Sequence, residues 1–194
     1  MTEKLKRRMQ MIGLGAVLCA IVVAETAGID PALLAKAKAG SPGAEVAVGT
    51  CYADGKGVPR DPQQAAEWYR KAAEQGNLSG ELHLAALYRD GAGKTFPRDM
   101  TQAAAWYRKA AEQGDPGAQG TLGMLYTLGQ GVAQSDVEAY FWLDLAASAA
   151  SPNQAQYMMN RQNVGTHITQ DQLQDVQDRE AKWKAAHPGT AANQ

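Results

Sequence analysis

Cysteine is almost missing from this chain: its 194 residues hold two, Cys19 and Cys51, and the three histidines, His83, His167 and His187, lie far apart. A zinc site needs His and Cys ligands at close, characteristic spacings, so this pattern predicts no metal centre. Runs of one charge are missing as well, with 19 Lys and Arg set against 20 Asp and Glu for a net charge of −1. Nucleic-acid binding requires a basic face that neutralises phosphates, and none is offered here. No buried strand precedes any of the glycine pairs, so Gly55-Lys56-Gly57 reads as a helix-helix turn and not as a nucleotide loop.

The chain has one long uncharged apolar run, from Met11 to Ala24, behind Lys4, Lys6, Arg7 and Arg8. That layout predicts a secretory signal peptide over residues 1–24, cleaved after Ala24 because Val22 and Ala24 supply small residues before Glu25. Two alternatives remain at this stage. The run could persist as an anchor, although it is short for about 30 Å of hydrocarbon. Cys19 could be lipidated, although Leu18 is bulky where a small residue normally precedes such a cysteine. Cleavage removes four basic residues and one acidic one, leaving a mature net charge of −4. It also leaves Cys51 alone, so no internal disulfide can form, and a buried, inert thiol is expected there. A periplasmic or secreted protein without stable membrane insertion follows, and a monomer is expected.

The chain's main feature is repetition. Ala65-Ala66-Glu67-Trp68-Tyr69-Arg70-Lys71-Ala72-Ala73-Glu74-Gln75-Gly76 returns almost unchanged from Ala103 to Gly114, and more loosely around Trp142. A period of 36 to 38 residues predicts an all-α solenoid, in which each unit buries its apolar face against the next. Ser41, Asn77, Asp115 and Ser151 are the expected caps of the first helix of each unit, helix A. Asp61, Asp99 and Ser135 are the expected caps of the second, helix B, each with Gln or Glu three residues on. Gly40, Gly76 and Gly114 are placed to close B helices. In helix A, Ala44, Val48 and Tyr52, with their equivalents Gly80, Leu84, Tyr88, Ala118, Leu122 and Tyr126, form the inward stripe. Gly49, Ala85 and Gly123 give the paired helix room to approach. In helix B, Glu67 to Lys71 and Arg70 to Glu74 are expected as weak ion pairs on a wet face.

The repeated pattern, Leu-Gly-x-x-Tyr-x-x-Gly-x-Gly-Val, then Asp, then Ala-x-x-Trp-Tyr-x-x-Ala-Ala-x-Gln-Gly, resembles that of the Sel1-like family of tetratricopeptide-type repeat proteins. The resemblance covers residues 41–148 in three units, approximately 41–76, 77–114 and 115–150. It implies a right-handed alpha-alpha superhelix and a non-catalytic scaffold or adaptor for a protein or peptide partner in the bacterial cell envelope. The third unit departs from the pattern: Ser135 replaces Asp, Leu143 follows Trp142, and the Gln-Gly end is lost. Residues 25–40 read as an N-terminal capping helix in which Leu33 and Leu34 cover the first unit. Residues 151–186 read as degenerate C-terminal capping helices, the last capped by Thr169 and Gln172, and 187–194 as a frayed tail.

No catalytic or cofactor-binding residue is expected, because the prominent acidic residues cap helices or pair with bases. Two alternatives stay open, a structural spacer without a specific partner and an envelope-associated hydrolase. Cysteine-rich members of the family have been linked to β-lactams, and this chain lacks their repeated cysteines. In tetratricopeptide-like stacks the A helices line the concave surface. Counting from Val48, Leu84 and Leu122 gives Val46, Thr50, Leu82, Ala86, Arg89, Gly120, Met124 and Leu128 as the candidate partner-binding face. The set is small and apolar with one charge, suited to an apolar strand or helix.

Overall fold

A computed structural model describes residues 28–188, so the expected signal peptide, its cleavage site and most of the tail lie outside the described residues. Within them the chain folds into nine helices: α1 (Pro31–Lys38), α2 (Pro42–Asp54), α3 (Pro62–Glu74), α4 (Leu78–Asp90), α5 (Met100–Glu112), α6 (Pro116–Leu128), α7 (Asp136–Ser148), α8 (Gln154–Gly165) and α9 (Gln170–Ala186). Helices α2, α4 and α6 are the A helices of three units, and α3, α5 and α7 are their B helices. Each helix from α1 to α7 packs on the next in sequence, and α9 turns back onto α7. The architecture is an all-α solenoid.

Local chemistry sets the helix ends. Asp61 accepts from the backbone N–H groups of Gln63 and Gln64, and Asp99 from those of Thr101 and Gln102. These bonds satisfy donors that a helix start leaves open. Asn77, Asp115 and Ser135 also cap through their side chains, whereas Ser41 takes the cap position without such a bond. At the end of α3 the Asn77 N–H reaches the Ala72 carbonyl and the Gly76 N–H reaches that of Ala73, with Gly76 at φ 75°. That is a Schellman closure, in which glycine takes the left-handed turn at least cost. The same pair of bonds recurs at Ser41 to Lys36 and Gly40 to Ala37, and at Asp115 to Ala110 and Gly114 to Ala111. Helix α1 therefore joins α2 as a B helix joins the next unit. Ser151 does not cap α8; the cap position falls two residues later, at Asn153, and the helix begins at Gln154.

Packing follows the small-residue register. A Cβ added at Gly49 would lie 2.7 Å from the Tyr69 ring, and one at Gly123 would lie 2.7 Å from Leu143. Val48, Leu84 and Leu122 are fully buried between helices. Tyr69 and Tyr107 are the deeper rings of the B helices, while Trp68 stays half-buried and Trp106 and Trp142 are buried. The expected ion pairs of helix B do not form. Lys71 lies 4.1 Å from the centre of the Trp68 ring and Lys109 lies 4.0 Å from that of Trp106. Arg70 donates to the Tyr88 hydroxyl and Arg108 to that of Tyr126, each reaching the next unit. A cation over a ring or on a phenol keeps part of its hydration and still shields apolar surface, so it competes well with an exposed carboxylate. Cys51 is half-exposed, not buried as expected.

The two Trp positions should differ in stability. Trp106→Ala should cost about 3 to 5 kcal/mol, in the range for emptying a buried aromatic site. Trp68→Ala should cost clearly less, because its ring is only partly buried. Urea melts of the two variants check this, and equal losses would contradict the burial difference.

Candidate functional site

The eight residues read from the sequence as a binding face occupy the A helices, and the fold brings them to different degrees of exposure. Leu128 is 56% exposed, the most open of the set. Val46, Thr50, Leu82, Ala86, Arg89 and Met124 are half-buried, with Val46 and Leu82 packed against the core. Gly120 is buried, and a side chain there would collide with the Tyr157 ring of α8. Thr50 is held in place, donating to the Val46 carbonyl and accepting from the Tyr69 hydroxyl at 3.2 Å. Arg89 makes two hydrogen bonds to Asp90, at 2.7 and 3.0 Å, and lies 6.0 Å from the Tyr107 ring centre. Met124 accepts a 3.0 Å hydrogen bond on sulfur from Asn160. The free part of this surface therefore narrows at its C-terminal end, where α8 lies across Gly120 and Met124.

Polar side chains inside the stack tie its helices together, mostly within a unit. Glu45 and Glu81 are buried in the first turns of α2 and α4. Each accepts from the Gln after its own B helix, Gln75 at 2.7 Å and Gln113 at 2.8 Å. Burial pushes the Glu81 carboxyl up, and the Gln113 amide opposes that by favouring the charged form. In the third unit Gln119 stands in the same place and donates to the Ala111 carbonyl.

The C-terminal helices carry features that the sequence reading missed. Arg179 of α9 grips Glu138 of α7 with two hydrogen bonds, at 2.8 and 3.0 Å, and lies 4.4 Å from the Phe141 ring centre. Phe141 occupies the place of Ala105, and that exchange was the available signal for α9 docking on α7. Beside this clamp, Glu180 of α9 is buried next to Asp144 of α7, which pairs with Arg161 of α8. Lys184 approaches Glu180 to 3.7 Å, and Tyr140 stands nearby. Burial, followed by the Asp144 carboxyl that bonds its protonated form, pushes Glu180 from 4.5 up to about 8. Between α8, the start of α9 and Tyr140 lies an open pocket of about 760 Å³, lined by Met158, Met159, Ile168 and Leu173 among others.

A carboxyl whose folded pKa is raised retains its proton in the folded state after the unfolded chain has lost it. Its contribution is thus fully present below about 4.5 and is lost as pH rises toward about 8. Glu180→Gln should flatten this part of the stability profile, and urea titrations across that window check it. An unchanged slope in the variant would show that Glu180 does not set it.

The family described as Sel1 repeat matches residues 42–77, 79–115 and 116–151. Among solved structures, a Sel1 repeat protein from Oxalobacter formigenes is 31% identical, with a TM-score of 0.58 over 68% of this chain and 95% of its own. A protective antigen of uropathogenic Escherichia coli with an SLR fold is 25% identical, with a TM-score of 0.46 over 82% of this chain and 49% of its own. No curated protein matches the chain in sequence.

Proposed function

Because the chain belongs to the Sel1 repeat family, whose members generally mediate protein-protein interaction, we propose that it is a non-catalytic scaffold or adaptor exported to the bacterial cell envelope. The observation that carries the reading is how its repeated polar groups are used. The caps Asp61 and Asp99, the Gln75-Glu45 and Gln113-Glu81 bonds and the Arg70-Tyr88 and Arg108-Tyr126 bonds all serve the stack. What remains for function is surface, and the A-helix face with Val46, Thr50, Leu82, Ala86, Arg89, Met124 and Leu128 is small and mostly apolar. An apolar strand or amphipathic helix is the partner that such a face accepts.

Export rests on the N-terminal pattern of four basic residues followed by the Met11 to Ala24 run. Among the described residues no helix is long and apolar enough to cross a membrane. Recovery from the periplasm of a protein whose first residue is Glu25 supports export with cleavage, and a cytoplasmic full-length chain overturns it.

Leu128→Lys should leave the melting temperature nearly unchanged, because that side chain is more than half exposed, and should remove partners captured by crosslinking in cells. Met124→Lys should lose partners and some stability together, since its sulfur is bonded to Asn160. Mass spectrometry of the crosslinked species provides the readout. An unaltered partner set in both variants would exclude this face.

A further inference from the structure

The ring that each B helix sends toward the A-helix face ends differently in each unit. In the first, the Tyr69 hydroxyl donates to Thr50 on α2. In the second, the matching ring is Tyr107 and the residue matching Thr50 is Ala86, which has no side-chain oxygen to accept its proton. In the third, Leu143 takes the place of the tyrosine. Tyr107 is 5% exposed, yet its hydroxyl has no hydrogen-bond partner among the described residues and is not sealed from solvent. Burial pushes the phenol's pKa up, with Arg89 opposing, so the group keeps a proton to donate.

Arg89 stands beside it, one turn beyond Ala86 on α4. Its guanidinium lies 6.0 Å from the Tyr107 ring centre and gives two of its five N–H donors to Asp90. The Asp90 carboxyl is held down first by these bonds and also by the charge of Arg98. Two guanidinium groups set against one carboxylate leave the spot with a positive excess. The matching spot of the first unit has Asp54 paired with Lys56, and that of the third has the uncharged Thr127 and Leu128. Among the three units, an unused buried hydroxyl and spare cationic donors meet only over α4.

We propose that the Tyr107 hydroxyl and Arg89 form a carboxylate subsite in the middle of the A-helix face, taking an internal Asp or Glu side chain of an extended, otherwise apolar partner segment. This rests on the reading of that face as the partner-binding surface. A carboxylate accepts from a phenol and a guanidinium together, and its charge matches the positive excess. The flanks favour an internal acid over a chain end. Val46 and Thr50 on α2 lie to one side of the subsite, and Met124 and Leu128 on α6 lie to the other, all at least partly open. Neighbouring A helices stand roughly 10 Å apart, and an extended segment advances about 3.3 Å per residue. An acid over α4 therefore sets the third residue on either side over α2 and α6, and a terminal carboxylate would give up one of these contacts.

Acetylated, amidated random nonapeptides screened on the full chain should yield binders with one central Asp or Glu and apolar residues three positions to either side. Changing that acid to its amide should weaken binding at least about tenfold, the size of a hydrogen bond to a charged group. Tyr107→Phe and Arg89→Gln should each weaken the acidic peptide by a similar factor and leave the amide peptide nearly unaffected. Melting of Tyr107→Phe should match the wild type, because the hydroxyl holds nothing inside the protein, so its loss of binding is separable from a loss of fold. Binders that lack an acid yet are lost in the neutral variant Leu128→Gln would overturn the subsite and keep the apolar face. Acidic binders that Tyr107→Phe and Arg89→Gln hold as tightly as the wild type would overturn the subsite as well. Binders unaffected by Leu128→Gln, or no binders at all, would overturn the face and the subsite together.

Discussion

The stack depends on one close approach, repeated. At Gly49 and Gly123 the A helix has no side chain, and the facing B helix fills the space with Tyr69 or Leu143; Ala85 and Tyr107 are buried at the matching positions of the second unit. Well-packed interiors have little free volume, so this exchange of bulk fixes how near and at what register the helices can lie. Once that register is set, the Schellman turns place the next A helix and the caps fix where each helix begins. The polar bonds between Gln and Glu, and between Arg and Tyr, can then form only in that alignment. They discriminate among registers as well as contributing stability, because a B helix shifted along its own A helix would leave Glu45 or Glu81 buried and unpaired.

The solenoid was legible in the sequence because its signals are local and repeated. Asp61 and Asp99 announce helix starts, Gly76 and Gly114 announce stops, and the inward stripe from Val48 to Leu122 shows a helical period. The Thr169-Gln172 capping box at the start of α9 was equally readable, and both of its reciprocal bonds are present. Features that depend on competition between partners were less legible. Lys71 and Arg70 have carboxylates at ideal helical spacing, yet an aromatic ring and a phenol take them instead. Sequence spacing shows which residues can meet on one helix; it does not show what the neighbouring helix offers.

The candidate face was readable only as a list of positions. Counting along the A helices finds Leu128 and Gly120 equally, but Leu128 is open and Gly120 lies beneath Tyr157. That difference arises in α8, whose sequence has drifted far from the repeat. The same drift hid the route of α9. Its docking depends on Phe141, Arg179 with Glu138, and Val176, a nonlocal set with no repeated counterpart from which to read it.

One substitution in the third unit bears on how such a chain can change length. Arg70 and Arg108 project from a B helix to a tyrosine on the following A helix, whereas the equivalent residue, Asp144, meets Arg161 on α8. The polarity of the joint is reversed there. The first two joints share one chemistry and are interchangeable, so a duplication or loss of the second unit leaves matching ends. A duplication of the third unit would bring Asp144 against a tyrosine and leave Arg161 with only the final copy. Insertions and deletions are thus tolerated upstream of that reversal, and Asp144 acts as a terminator that ties the last unit to its own C-terminal helices.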